Sequence, residues 1–377
     1  MISIRQPARF YIGLCLAMLM PFHSTSDAAG QPRSLGSTYK SDFLIGMAMD
    51  FTSNELTPTE LELIKSNFNV VTPENSMKPD SVHPAEGRWT WGNADKLVQF
   101  CQENKIQIIG HTLVWHGQTG KWFFKGENGQ PVSRDVAIER LKEHIHTEVG
   151  RYKGKIKGWD VVNEAINDKP NGDSENLRNN GWLEAIGLDY INLAFKFAHE
   201  VDPNAELYYN DYNIEKGDKH KSSMLLLKRL VKEGVPIAAV GIQGHWGLNN
   251  LPYDELDAAI ADYKSLGLKV NISEMDVVIT GQGGGQLTPA GGAASAHERD
   301  SRRGARTPPT AQQLKQQADA YATFFKIFQK HKDVIERVTL WGLSDARTWR
   351  PGQAPLLFDA QNSPKPAFAA VIAAKQP

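Results

Sequence analysis

"IKGWDVVNEAI", Ile156–Ile166, is an apolar run that finishes in an amide and a carboxylate. Ile156, Trp159, Val161 and Val162 are the aromatic and β-branched residues that favour a strand, and their density suits one buried on both faces. Asn163 and Glu164 then follow directly. A carboxylate at the end of a buried run is costly unless something pairs with it or uses it. One explanation is a helix N-terminus, where acidic side chains suit the dipole. The other is a catalytic acid.

Working outward, the same kind of run recurs. "FLIGMAMD", "FNVVTPEN" and "IQIIGHTLVW" precede it; "ELYYNDYN", "AVGIQGHW", "LKVNISEMDVV" and "RVTLWGLSD" follow. These read as about eight strands in all. Amphipathic stretches separate them, among them "TPTELELIKSNF" with a Thr/Glu start signal and "SRDVAIERLKEHIHTEVGRYKG" opening at Ser133. "WLEAIGLDYINLAFKFAHEVDP", "KHKSSMLLLKRLVKEG", "YDELDAAIADYKSLG" and "TAQQLKQQADAYATFFKIFQKHKDVI" continue the rhythm. Strand–helix alternation of this length predicts a single (β/α)8 TIM barrel. A doubly wound open sheet is the alternative, but no Gly-rich phosphate loop follows the first strand.

The chain has 377 residues, with 42 Lys+Arg against 43 Asp+Glu, so its charge is balanced. That argues against a protein built to hold nucleic acid. Residues 1–29 read as a secretory signal: Arg5 and Arg9, an apolar run from Phe10 to Met20, then small residues up to a cleavage site near Ala28 or Ala29. The run is too short for a stable membrane span. The expected mature protein, 30–377, is therefore secreted, extracellular or periplasmic, without a membrane partner, and we expect a monomer. It keeps only Cys101, so stability must come from a large core rather than a disulfide. Cys101 reads as a buried structural thiol. Residues 281–310, rich in Gly and Ala, read as a flexible loop inserted after strand 7.

The strand ends carry the chemistry. They supply Glu74, Asn75 and nearby Lys78; His111, Trp115 and His116; Asn163 and Glu164; Asn210, Asp211 and Tyr212; Gln243, His245 and Trp246; Glu274 and Asp276; and Trp341, Asp345 and Trp349. In a barrel these C-terminal ends share one face. A lone His or Trp at a strand end is usually structural. Seven strands ending this way would otherwise bury polar groups for no gain. No cofactor motif, metal-ligand spacing or serine elbow is present, so no cofactor is expected. Carboxylates, amides, imidazoles and indoles around a pocket suit a carbohydrate, and two carboxylates suit cleavage of a glycosidic bond. Glu164 and Glu274 are the best pair, with Asp211 and Glu74 as rivals.

Taken together, "GHTLVWHGQTGKWFF", "WDVVNEAI", "YYNDYNIE", "GIQGHW", "ISEMDV" and "WGLSDARTW" resemble the family-10 glycoside hydrolases, the endo-β-1,4-xylanases. The resemblance runs from about Leu44 to the C-terminus. It implies a (β/α)8 barrel that cleaves xylan and binds xylo-oligosaccharides, with retention and without metal or cofactor. It makes Glu164 the acid/base and Glu274 the nucleophile. His245 would hydrogen-bond the nucleophile with Asp276 behind it, and Asn163 would contact the sugar 2-hydroxyl. His111, Trp115, Gln243 and Trp341 would complete that subsite. Glu74, Asn75, Lys78 and Gln118 would form the next, with Trp349 closing over it and Tyr212 on the leaving-group side. Two further expectations follow. Glu274 would raise the pKa of Glu164, and Arg347 and Arg350 would favour acidic xylan side groups. A β-1,4-glucanase on the same barrel and a non-catalytic xylan-binding protein remain open.

Overall fold

The computed structural model describes residue 1 and residues 34–51, 56–170, 175–279 and 308–375. The expected signal beyond Met1, and all but the last residues of the expected 281–310 loop, lie outside the described residues.

Eight strands alternate with helices. They are β1 (Leu44–Met49), β2 (Val70–Pro73), β3 (Gln107–Val114), β4 (Gly158–Asn163), β5 (Glu206–Asp211), β6 (Ala239–Ile242), β7 (Lys269–Val278) and β8 (Ile335–Leu340). A helix follows each: α1 (Pro58–Asn67), α2 (Gly92–Glu103), α3 (Arg134–Arg151), α4 (Tyr190–Val201), α5 (Gly217–Lys232), α6 (Tyr253–Ser265), α7 (Ala311–Lys330) and α8 (Pro366–Ala374). The start signals act as expected. Thr57 and Glu60 form a capping box on α1, Ser133 caps α3, and Thr310 with Gln313 caps α7.

Every neighbouring strand pair is parallel, and β8 pairs with β1. The sheet closes on itself and the predicted (β/α)8 barrel is observed. The helices bury their apolar faces on the outer wall; α4 contributes Ile191, Ala194, Phe195 and Ala198 at helical spacing. Cys101 is buried on α2, and burial pushes its thiol up to about 12, which fits a packing role.

The barrel interior holds a charged layer. Arg337 on β8 reaches across to Asp160 on β4 at 3.5 Å and lies 4.9 Å from the Tyr208 ring on β5. Asp160 Oδ2 also meets His111 Nδ1 on β3 at 2.9 Å. Strand register shifts just above this layer, between His111 and Val114, Asp160 and Val162, and Ile272 and Met275. Such irregularities re-aim the residues that follow, here the ends of β3, β4 and β7.

Candidate active site

Glu164 follows β4 with φ of 55°, a left-handed backbone that residues with a Cβ rarely adopt. It begins no helix: residues 165–170 are not helical, and among the described residues the next helical turn starts at Gly181. The helix-terminus explanation therefore fails. Its carboxylate is held on both oxygens: Trp115 Nε1 donates to Oε2 at 2.8 Å and Gln243 Nε2 to Oε1 at 2.9 Å. His116 Nε2 lies 4.0 Å from Oε2.

Glu274 lies within β7 and is 5% exposed. Asn210 Nδ2 donates to its Oε1 at 2.8 Å, and His245 Nε2 meets its Oε2 at 3.2 Å. The backbone explains the His245 contact. After β6, Gly244 turns at φ of 81°, and residues 245–247 resume a short strand in which His245 sits opposite Asp276. Their side chains meet at 2.9 Å, Nδ1 to Oδ2. Burial pushes the imidazole down, but Asp276 and Glu274 outweigh it and carry it up to about 9. His245 is thus an imidazolium at neutral pH, with both nitrogens donating.

Asn210 touches both acidic residues, donating to the Glu274 carboxylate and accepting from the Glu164 backbone N–H at 2.8 Å. Its side-chain amide also meets that of Asn163 at 2.8 Å, and Gln243 Nε2 lies 3.5 Å from Asn163 Oδ1. Ser273 Oγ donates to Asn210 Oδ1 at 2.5 Å, and a Cβ on Gly241 would come within 2.3 Å of that oxygen. Only glycine leaves room for this bridge. Asn210 and His116 stood among the polar strand ends without a role; three-dimensional proximity supplies one.

The remaining predicted residues fall into four groups. Trp341 packs edge-on against His111, with ring centroids 5.2 Å apart. Lys78 Nζ donates to Gln118 Oε1 at 3.0 Å and Asn75 Oδ1 at 3.2 Å, and lies 4.9 Å from the Trp115 ring. Glu74, half-buried, precedes this group, its N–H donating to Met49 O at 3.1 Å. Tyr212 on the opposite side donates to Asp168 at 2.6 Å and accepts from Arg178 at 2.9 Å. Trp349 Nε1 donates to Asp276 Oδ2 at 2.9 Å, and its ring lies 4.8 Å from His245. The rival Asp211 is fully buried and pairs with Lys219 at 2.8 Å, a structural role.

Two expectations are corrected. Burial raises Glu164, as expected of an enclosed carboxyl, but the donors from Gln243 and Trp115, and Lys219, outweigh it and hold the group below its ordinary value. The net direction is therefore down rather than the rise expected from a Glu274 charge nearby. Arg347 and Arg350 do not wait for acidic side groups. Arg347 forks onto Glu60, and Arg350, 2% exposed, meets Asp276 at 3.2 Å. Both arginines are paired with carboxylates of the protein itself, although Arg350 Nη2 has no hydrogen-bond partner among the described residues.

Comparison with known proteins identifies the family of this barrel. Residues 34–374 match glycosyl hydrolase family 10. An endo-1,4-beta-xylanase of Geobacillus stearothermophilus is 40% identical over 346 residues, covering 90% of this chain and 98% of its own. The crystal structure of a Paenibacillus barcinonensis xylanase complexed with a conduramine derivative superposes with a TM-score of 0.81 at 36% identity, covering 91% of this chain and 99% of that one. An intracellular xylanase of Thermoanaerobacterium saccharolyticum, solved as a mutant with xylotriose, gives 0.78 at 36% identity, with 91% and 99% covered. A barrel whose strand ends gather these carboxylates, amides and indoles, matched over nearly its whole described length, belongs to glycosyl hydrolase family 10.

Proposed function

We propose that this chain is a retaining endo-β-1,4-xylanase, with Glu164 as acid/base and Glu274 as nucleophile. One observation carries the assignment. Asn210 meets both acidic residues, its side chain donating to Glu274 and its carbonyl accepting from the Glu164 N–H, while Gln243 and Trp115 hold the Glu164 carboxylate, so two carboxylates from different strands are fixed in one frame. The family relatives' action on xylan supports the substrate.

In the first step Glu274 attacks the anomeric carbon while Glu164 gives its proton to the leaving oxygen. In the second, Glu164 takes a proton from water, which releases the sugar from Glu274. The imidazolium of His245 orients Glu274 from one side and Asn210 from the other. In the free site Glu164 favours the carboxylate, so its proton must be acquired as sugar binds. Sugar covering the cleft removes water, which favours the neutral carboxyl. Sugar hydroxyls also compete for the Trp115 and Gln243 donors. Asn75, Lys78 and Gln118 offer donors and acceptors for the neighbouring xylose, with Trp115 and Trp349 as apolar platforms. Residues 1–29, with their basic start, apolar run and small-residue end, support export of the enzyme.

Product analysis on glucuronoxylan, with NMR of the first anomer released, tests the reading. Internal cleavage giving the β-anomer is expected. An α-anomer at first release would exclude retention, and release of reducing ends from carboxymethyl-cellulose but not xylan would make the enzyme a glucanase. Binding without release would make it a lectin-like protein. A crystal structure is expected to place the two carboxyl groups about 5–5.5 Å apart.

A further inference from the structure

Asp276 Oδ2 is shared by three donors. His245 Nδ1 meets it at 2.9 Å, Trp349 Nε1 at 2.9 Å and Arg350 Nε at 3.2 Å. Two of these are consecutive residues of the segment after β8. The third is the imidazolium that holds Glu274. Arg350 also covers the Trp349 ring, its guanidinium carbon 4.2 Å from the centroid. Two residues before the indole, Arg347 is anchored on Glu60, which belongs to the α1 capping box. Trp349 is therefore held between two arginine anchors, and only the second reaches the nucleophile's partners.

We propose that Arg350 is a positioning residue for the hydrolysis: through the shared Asp276 oxygen it sets how His245 is held against Glu274, and through Trp349 it ties that geometry to the sugar platform. This inference rests on the retaining reading above. Its physics is competition for one carboxylate. A cation beside Asp276 offsets part of the negative field that would otherwise fall on His245. Without that cation, Asp276 pulls harder on the imidazolium, away from Glu274. Among the described residues, the charges that act most on His245 are both carboxylates, so neither can substitute for the cation. Glu274 and Asp276, both on β7, are carboxylates, and Tyr321 on α7, which lies within the field of Asp276, donates its hydroxyl to Pro355 O. Arginine suits the position because one planar group can both donate to a carboxylate and lie on an indole.

The test uses the full-length chain with Arg350→Gln and Arg350→Lys. Two quantities are read: the titration midpoint of the His245 imidazole by NMR, assigned with His245→Asn as the blank, and the rate of covalent trapping by a 2-deoxy-2-fluoro-xylobioside. Arg350→Gln is expected to raise the His245 midpoint and slow trapping about 10-fold, short of the roughly 100-fold cost of a 1 Å misplacement. Arg350→Lys keeps the charge and loses the planar group. It is expected to return the midpoint toward wild type while trapping stays slower. A folded Arg350→Gln protein with an unmoved or lowered His245 midpoint overturns the proposal, since a purely structural arginine would change stability alone. If Arg350→Gln does not fold, an unchanged trapping rate in Arg350→Lys overturns it instead. Failure of the wild-type protein to be trapped at all would strike the retaining reading, while the midpoints would still report on Arg350.

Discussion

Asn210 bears on the nucleophile more than its place in the sequence suggests. It donates to Glu274 and meets Asn163, so one amide sets two groups that must face the same sugar. Asn210→Ala is expected to lower kcat/KM by about 10²–10³-fold, the scale of losing one preorganised donor. Steady-state kinetics on an aryl xylobioside checks this, and near-normal turnover would remove the residue from the machinery. Side-chain donors act on the other carboxylate. Burial, Arg178 and Lys219 hold His116 below its ordinary value, so the donors and Lys219 are what keep Glu164 ionised, and Gln243→Leu, which removes one donor, is expected to raise the pKa of Glu164. Because the acid must be protonated, the alkaline limb of the kcat/KM profile then moves to higher pH. A limb that stays or moves down would contradict that sign.

At the scale of elements, α3 shows how a helix can carry a pH liability into the core. His144 and Glu148 lie one turn apart and are fully buried, with His144 Nε2 3.0 Å from Leu113 O. Burial and nearby His83 push His144 down from 6.5 to about 3, so it is neutral in the fold. Between those values the unfolded chain binds a proton that the native state refuses, and this group's contribution to stability falls as pH falls. Burial pushes Glu148 up, which opposes that trend above pH 4.5. The His144 part is isolated by difference. His144→Gln retains an N–H donor for the Leu113 carbonyl and cannot titrate. Between pH 7 and pH 5 the variant-minus-wild-type stability is expected to shift by about 2 kcal/mol in the variant's favour. Urea unfolding at the two pH values measures it, and a difference that does not change with pH would exclude the assignment.

Across the whole molecule, the charged layer inside the barrel connects strands that are not neighbours. Arg337 on β8 serves Asp160 on β4, which in turn holds His111 on β3. Arg337→Met leaves a buried carboxylate without its cation, and a loss of about 3–5 kcal/mol is expected. The loss should appear as one cooperative shift in the urea midpoint, because the contact spans the closed barrel. A change below about 1 kcal/mol would mean that the layer is not a charge pair in solution.

Much of this was legible in one dimension. Periodicity along the chain, from "FLIGMAMD" to "RVTLWGLSD", specifies the alternation of strand and helix, because burial on two faces demands continuous apolar runs. The polar strand ends mark the catalytic rim, since a barrel brings all of them to one face. Glu164 and Glu274 could be named for that reason, whereas the His245–Asp276 pair came from the family resemblance. What the tertiary structure decided is which polar groups use one another. The arginines after β8 are turned inward onto Glu60 and Asp276, Asn210 bridges two strands, and Glu164 is surrounded by donors and cations that outweigh its burial. Hydrogen bonds and local fields act over a few ångströms between residues 30 to 80 positions apart or more. Sequence spacing carries the faces of strands and helices, but only closure of the barrel sets those distances.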